Sequence, residues 1–383
     1  MTQLDDGRFD SPTNRTPITR DDDGRTPEER FLDRRDARHF SVPWRHKDHP
    51  TDEELRHLLT KQAPRRGPRS RVGKALLVLG WGFGFIALVG VGAYFTPMHS
   101  QYLLGLSALS PYLMLGAPLA GVCFALTRAR TWLMVAAALT LIVGSLQAPL
   151  FIADDVPAGT AFRVMTANLH LGEVDAASLV SAVRNHKIDA LMVQELTPEE
   201  RDRLQAAGID ELLPYNLLAP FWGAAGAGLW SRYPLSDPTQ VSGYTFKFLQ
   251  ARVKVPGVAK DPTLVAAHMA GPVPTSVDWE HDIDRLPGDL RDYEGTVIVG
   301  ADLNATTSTA QFRRLLVNGF ADASSQAGEG LLPTWPNDKP FTPAVITLDH
   351  VLTRQAVARS VDTINLPGSD HRGLLSTIVL PKS

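Results

Sequence analysis

The chain has 383 residues, 44% of them hydrophobic and 21% charged, with a formal net charge of −3. Those values exclude a wholly disordered chain and a strongly basic one. The charge is unevenly placed. Residues 1–72 carry 16 basic and 14 acidic side chains, residues 73–152 carry 3 and none, and residues 153–383 carry 19 and 27.

Residues 1–72 are rich in Arg and Asp and poor in apolar side chains, which predicts a mostly disordered tail. His39, His46 and His49 within it read as solvated. Residues 73–152 contain three uncharged apolar runs, at 75–95, 102–126 and 132–152. A helix needs about 20 apolar residues to cross a bilayer, so three transmembrane helices are expected. The first run starts too far into the chain for a cleaved signal peptide. Gly80 and Gly84 form a small-xxx-small pair able to pack helices. Cys123, the one cysteine, reads as a small hydrophobe and excludes an intrachain disulfide or a thiolate cluster. Basic residues precede the first run (Lys61, Arg65, Arg66, Arg69, Arg71, Lys74) and fill the second loop (Arg128, Arg130). The first loop has none. The positive-inside tendency then puts the N-terminus in the cytoplasm and everything after Ile152 outside. Residues 153–161 would be a short tether, reaching at most ~30 Å.

Residues 162–383 alternate between strand-like and helix-like patterns. A helix is expected over 175–186, where Ala176, Leu179, Val180 and Val183 share one face. Polar residues recur where apolar strands end. Asn168 follows 162–167, Gln194-Glu195 follows 188–193, His268 follows 263–267 and Asp302 follows 296–300. Asp349 lies in 345–352, and Asp370-His371 precedes 374–380. Strand ends are where α/β proteins tend to build sites. The oxygen-rich group suits a hard cation such as Mg²⁺, with Mn²⁺ an alternative, and no H-E-x-x-H zinc motif is present. Histidine near carboxylates can move protons close to neutral pH. Trp230 and Tyr233 read as packing residues, and 223–228 as a flexible loop rather than a phosphate cradle.

Six ordered motifs then carry a resemblance. They are Thr166-Ala167-Asn168, Gln194-Glu195, the run from Gly228 to Leu235, the run from Gly300 to Ala305, the run from Leu348 to Leu352, and Ser369-Asp370-His371-Arg372. Together they resemble the endonuclease/exonuclease/phosphatase superfamily of metal-dependent phosphoesterases. With three spans, the chain also resembles membrane-anchored actinobacterial proteins of the VanJ-like type. The resemblance implies an α/β fold, a four-layer α/β sandwich with two central mixed sheets, here preceded by an all-α three-helix transmembrane segment. It implies that Asn168, Glu195 and Asp370 sit at the metal, with Glu195 a direct ligand. Asp302 and Asn304 would orient water and phosphate. His371 would act as general base or transition-state partner, steered by Asp349, and His268 would face the phosphate. Met269 and Thr347-Leu348 depart from the residues common in the family.

The expected protein is a membrane-tethered, extracytoplasmic phosphoesterase acting on a phosphodiester, phosphomonoester or pyrophosphate. Its domains would be a cytoplasmic tail (1–72), the spans (73–152), the tether (153–161) and the phosphoesterase domain (162–383). The short tether favours a lipid-linked phosphate over a diffusible phosphorylated small molecule. The acidic outer region disfavours tight nucleic-acid binding. An extracellular nuclease and a catalytically inactive envelope binding module are the alternatives.

Overall fold

A computed structural model of the protein describes residues 70–338 and 341–382. All but the last three residues of the charged tail, with its histidines, lie outside the described residues.

The described residues open with five helices: α1 (Arg71–Phe95), α2 (Gln101–Ala108), α3 (Ser110–Met114), α4 (Gly116–Leu126) and α5 (Arg130–Gln147). Ser70 caps α1 by accepting a hydrogen bond from Gly73 N at 3.1 Å. Two helical stretches, Arg71–Phe95 and Arg130–Phe151, are long and apolar enough to cross a membrane. The middle run departs from a straight helix, bending by 53° between Gln101–Ala108 and Ser110–Leu126. Pro111 sits in the first turn of α3 and has no N–H to continue the α2 ladder. Large apolar side chains point outward, among them Phe85, Leu119 and Leu141. Inward, Ala87, Met114, Ala117 and Val143 pack together. Gly116 lets α4 touch α1, because a Cβ there would lie 2.3 Å from Phe83 O. Gly80 abuts Phe124 and Cys123, so that glycine serves packing within the chain.

Strands and helices alternate after residue 158. In order they are β1 (Gly159–Asn168), α6 (Ala176–Asn185), β2 (Ala190–Gln194), α7 (Pro198–Ala206), α8 (Ile209–Leu212), β3 (Tyr215–Ala219), β4 (Ala227–Ser231), β5 (Leu235–Val241), β6 (Phe248–Val253) and β7 (Thr263–His268). Then come α9 (Val277–Asp292), β8 (Val297–Asp302), α10 (Ala310–Arg313), β9 (Phe320–Asp322), α11 (Ala323–Ala327), β10 (Asp349–Arg354), β11 (Val357–Asn365) and β12 (Arg372–Pro381). One six-stranded sheet runs β11-β12-β1-β2-β4-β3 and the other β5-β6-β7-β8-β10-β9. Both are mixed, with β1/β2 and β7/β8 parallel and the other pairs antiparallel.

The sheets face each other across a core that includes Phe162, Met192, Leu264, Ile298 and Val351. Leu179, Val180 and Val183 of α6 cover the outer face of the first sheet. Trp279, Ile283 and Leu286 of α9 cover that of the second. Strands covered on both faces read as unbroken apolar runs, as in β2 and β8. Gly300 permits the close sheet–sheet approach, since a Cβ there would meet Met192 at 2.7 Å. Gln194 also crosses the gap, its Nε2 donating to Gly300 O at 3.3 Å. Trp230 is fully buried and donates to Asp210 at 3.1 Å, in keeping with a packing role.

The α/β region is packed onto the entering helices as well as joined to them through 153–158. Ala93, Met98 and Leu104 belong to the same core cluster as Trp279 and Phe312. The Arg313 guanidinium lies 3.8 Å from the centre of the Tyr94 ring. Gln311 Nε2 donates to Met98 O at 2.8 Å, and Tyr112 OH donates to Val345 O at 2.7 Å. Beyond α5, Leu150 O accepts from Gly330 N at 2.8 Å.

Candidate active site

Strand direction gathers the polar residues at one rim. In the parallel pairs, Asn168 lies level with Gln194, and His268 with Asp302. β10 runs antiparallel to β8, so its first residue, Asp349, also faces Asp302. β12 runs antiparallel to β1, which brings the preceding Asp370-His371 loop to the same end. Ser369 anchors that loop: its hydroxyl donates to Asn168 O at 2.8 Å and accepts from His371 N at 3.0 Å.

The expected residues come together. Asn168 donates through its amide nitrogen to Glu195 Oε1 at 3.0 Å and to Asp302 Oδ2 at 2.9 Å. Its own oxygen accepts from His170 N at 2.8 Å. Glu195 Oε2 accepts from Leu171 N at 2.7 Å. Asp302 Oδ1 accepts from Asn304 N at 3.0 Å, and the Asn304 amide donates to Met269 O at 3.0 Å. His268 Nδ1 donates to Ala224 O at 3.2 Å, which turns Nε2 toward Asp302 Oδ2 at 3.6 Å and Glu195 Oε1 at 4.0 Å. His371 Nδ1 meets Asp349 Oδ2 at 2.7 Å, and its Nε2 lies 3.8 Å from Asp302 Oδ2 and 4.0 Å from Asp370 Oδ1.

The backbone is unusual at two of these positions. Glu195 has φ +59° and Asn304 has φ +47°. Asn tolerates the left-handed region, whereas for Glu it is uncommon, and such conformations gather at functional sites.

Burial disfavours a charged His371. The Asp349 and Asp302 carboxylates outweigh that effect and push its pKa up to about 10. A cleft of about 480 Å³ opens over Glu195, His268, Asp302, Asn304, Asp370 and His371, with Asn168 and Asp349 buried behind it. Among the described residues its lining includes no Lys or Arg. Asp302, Asp349 and His371 each offer a ligand atom within 4.8 Å of the others. Asp349 Oδ1 is buried without a hydrogen-bond partner among the described residues. Four carboxylates faced by the His371 imidazole but by no Lys or Arg of the cleft lining suit a divalent metal with oxygen ligands, so the donor set fits such an ion.

Sequence reasoning missed the supports. Thr334 Oγ1 accepts from Leu348 N at 3.1 Å and from Asp349 N at 3.3 Å. That cap marks the start of β10 at Asp349, later than the strand expected from residue 345. Trp335 Nε1 donates to Asp370 Oδ2 at 3.3 Å. His350, one residue beyond Asp349, places Nδ1 2.8 Å from Asp322 Oδ2 and Nε2 2.9 Å from Ala305 O. Both ring nitrogens face acceptors, and Asp322 is held ionised opposite a protonated imidazole. Burial opposes the His350 charge, yet its pKa is raised by Asp322. A histidine beside a strand-end acid was the available signal for this pair.

Comparison with known proteins places the fold and the family. TDP2 of D. rerio, crystallised with a single-strand DNA product, shares the fold at 17% identity and a TM-score of 0.50, over 57% of this chain and 99% of that one. A mannosyl-6-phosphatase from Bacteroides thetaiotaomicron aligns at 13% identity and 0.47, over 57% and 100%. An endonuclease/exonuclease/phosphatase from Beutenbergia cavernae aligns at 18% identity and 0.45, over 58% and 72%. No curated protein matches the chain. The model of the Endonuclease/Exonuclease/phosphatase family matches residues 165–371, more than half of the chain and every strand end that builds the rim. The chain belongs to the endonuclease/exonuclease/phosphatase family.

Proposed function

We propose that the protein is a membrane-anchored phosphoesterase that hydrolyses a phosphodiester, phosphomonoester or pyrophosphate of an envelope lipid, outside the cytoplasm. The observation that carries this reading is the acidic, imidazole-bearing cleft beside apolar helices. The combination also fits the VanJ-like type of membrane protein. The domains are taken as a cytoplasmic tail (1–72), three spans (73–152), a tether (153–161) whose last three residues already belong to β1, and the phosphoesterase domain (162–383).

Placement of charge supports the orientation. Arg130 opens α5, whose 18 residues rise ~27 Å before the chain reaches the α/β region. Arg71 and Lys74 likewise begin α1, while its C-terminal end touches Arg313. The basic residues therefore stand away from the catalytic region, as a cytoplasmic location for them requires.

Glu195, Asp370 and Asn168 would hold Mg²⁺ or Mn²⁺. In the present rotamer Asn168 presents its NH₂ to the acids, so ligation through oxygen requires an amide flip. That flip would set an oxygen against two carboxylates and is favourable only with a cation among them. Such an ion, when bound, neutralises charge on phosphate oxygens. Asp349 orients His371, whose Nε2 faces the cleft; with its pKa raised, the imidazolium donates that proton to a phosphate oxygen as negative charge grows in the transition state. Asp302 and Asn304 position the attacking water and the phosphate. His268, fixed by Ala224 O, presents Nε2 to a phosphate oxygen.

The test is parallel turnover of polyprenyl pyrophosphate and of single- and double-stranded DNA by the full chain in lipid nanodiscs, with Mg²⁺ or EDTA. Expected is Mg²⁺-dependent phosphate release from the lipid, reduced at least tenfold in Glu195→Gln. DNA cleavage without lipid turnover would establish the nuclease alternative. Lipid binding without any turnover would establish the binding module.

A further inference from the structure

The catalytic cleft has a wall that the α/β domain does not supply. Gln101, Leu104, Gly105 and Ala108 of α2 line the same cleft as Glu195 and His371. This helix lies in the second apolar run, and Pro111 bends the chain just after it. It is firmly held. Leu104 is buried in the core with Trp279, and Ser107 Oγ donates to Ser308 O at 3.2 Å. Tyr112, just past the bend, ties the segment to Val345, next to Ile346 on the cleft lining. The α2 face is apolar apart from Gln101, whose Oε1 is buried without a partner among the described residues. Around Gly105 there is free space: a Cβ there would meet nothing within 4 Å.

We infer that α2 is a substrate-binding wall: the alkyl chain attached to the scissile phosphate packs on the Leu104–Gly105–Ala108 face, making these residues determinants of specificity for lipid phosphates. This rests on the phosphoesterase reading and adds to it how the lipid is selected. A phosphate at the polar rim leaves its substituent beside α2, because both line one cleft of about 480 Å³. Burying a methylene is worth about fourfold in affinity. Gly105 is then the position where chain length is sensed. A larger side chain fits the fold there, and leaving glycine favours the helix, but it occupies the space meant for the ligand.

The experiment is calorimetric binding of methyl and butyl phosphate, with Mg²⁺, to the full chain in nanodiscs, with empty nanodiscs as blank. Butyl phosphate should bind wild type at least tenfold more tightly than methyl phosphate. Gly105→Leu should shrink that advantage to under twofold. Ala108→Leu is the companion variant, and thermal melts establish that each variant is folded. Equal affinities in wild type, or an undiminished butyl advantage in both folded variants, would overturn the inference while leaving the phosphoesterase reading intact. If wild type binds neither phosphate and turns over no phosphoester, the phosphoesterase reading falls and takes this one with it.

Discussion

In each sheet a parallel strand pair joined through one covering helix holds the centre, β1–α6–β2 in one and β7–α9–β8 in the other. Both pairs end in polar residues at the same rim, yet the two rims differ in exposure. On the first, the Glu195 side chain is 13% exposed and Asp370 24%; on the second, Asp302 is 1%, His268 3% and Asp349 0%. The second sheet thus holds fixed, desolvated groups, while the first offers acids that an arriving cation or substrate can reach. His371 joins them: it precedes β12 in the first sheet and hydrogen-bonds to Asp349 in the second. One topology therefore yields a rigid half and an accessible half, and catalysis on this reading needs both.

The strongest way to break that division is to cut the joint. His371→Ala should lower kcat by about 10²–10⁴-fold, the scale of lost acid–base catalysis. Asp349→Asn should lose part of that. The double variant should be little worse than His371→Ala, because groups acting as a unit fail together. Additive losses in a double-mutant cycle would show that the halves act separately.

The rigid half also rests on the buried Asp322–His350 pair. Asp322→Ala leaves a buried imidazole charge unpaired and should destabilise the fold by about 3–5 kcal/mol in chemical denaturation. Glu195→Gln, on the accessible rim, keeps an acceptor for one of the two hydrogen bonds that Glu195 accepts and should change stability by about 1–2 kcal/mol. Similar losses from the two substitutions would erase the contrast.

A smaller effect sharpens the comparison from the first-sheet side. Burial pushes the Glu200 carboxyl up to about 7 against the pull of Arg203 beside it. Its native pKa lies above its unfolded value near 4.5, so the native state binds the extra proton between these pH values. Stability should therefore fall as pH rises from about 4.5 to about 7, by on the order of 1–3 kcal/mol. Glu200→Gln should remove that slope in denaturation curves taken across the window. A slope unchanged in the variant would show that other groups cause it.

Much of this was legible locally. Unbroken apolar runs announced β2 and β8, because burial on both faces removes the need for polar alternation, and α1 and α5, whose apolar runs are long enough to cross a membrane. The helical face of Ala176, Leu179, Val180 and Val183 appeared where its spacing put it. The strand-end acids and imidazoles were legible because a strand leaving a core must end in groups that tolerate water or a ligand. The supports were not. Thr334 and Trp335 lie in an irregular stretch with no period, and their value comes from what folds against them.

The sequence by itself determined which stretches are apolar, where most strands lie and which chemical groups stand beside them, since each depends on neighbours a few residues away. Tertiary structure alone decided that Asn168 turns its NH₂ toward Glu195 and Asp302, that Asp322 pairs with His350, and that α2 closes one side of the cleft. Asn168 and Asp302 are 134 positions apart. Local periodicity carries no record of such a meeting, which is fixed by how the two sheets and the helices packed on them share their buried surfaces.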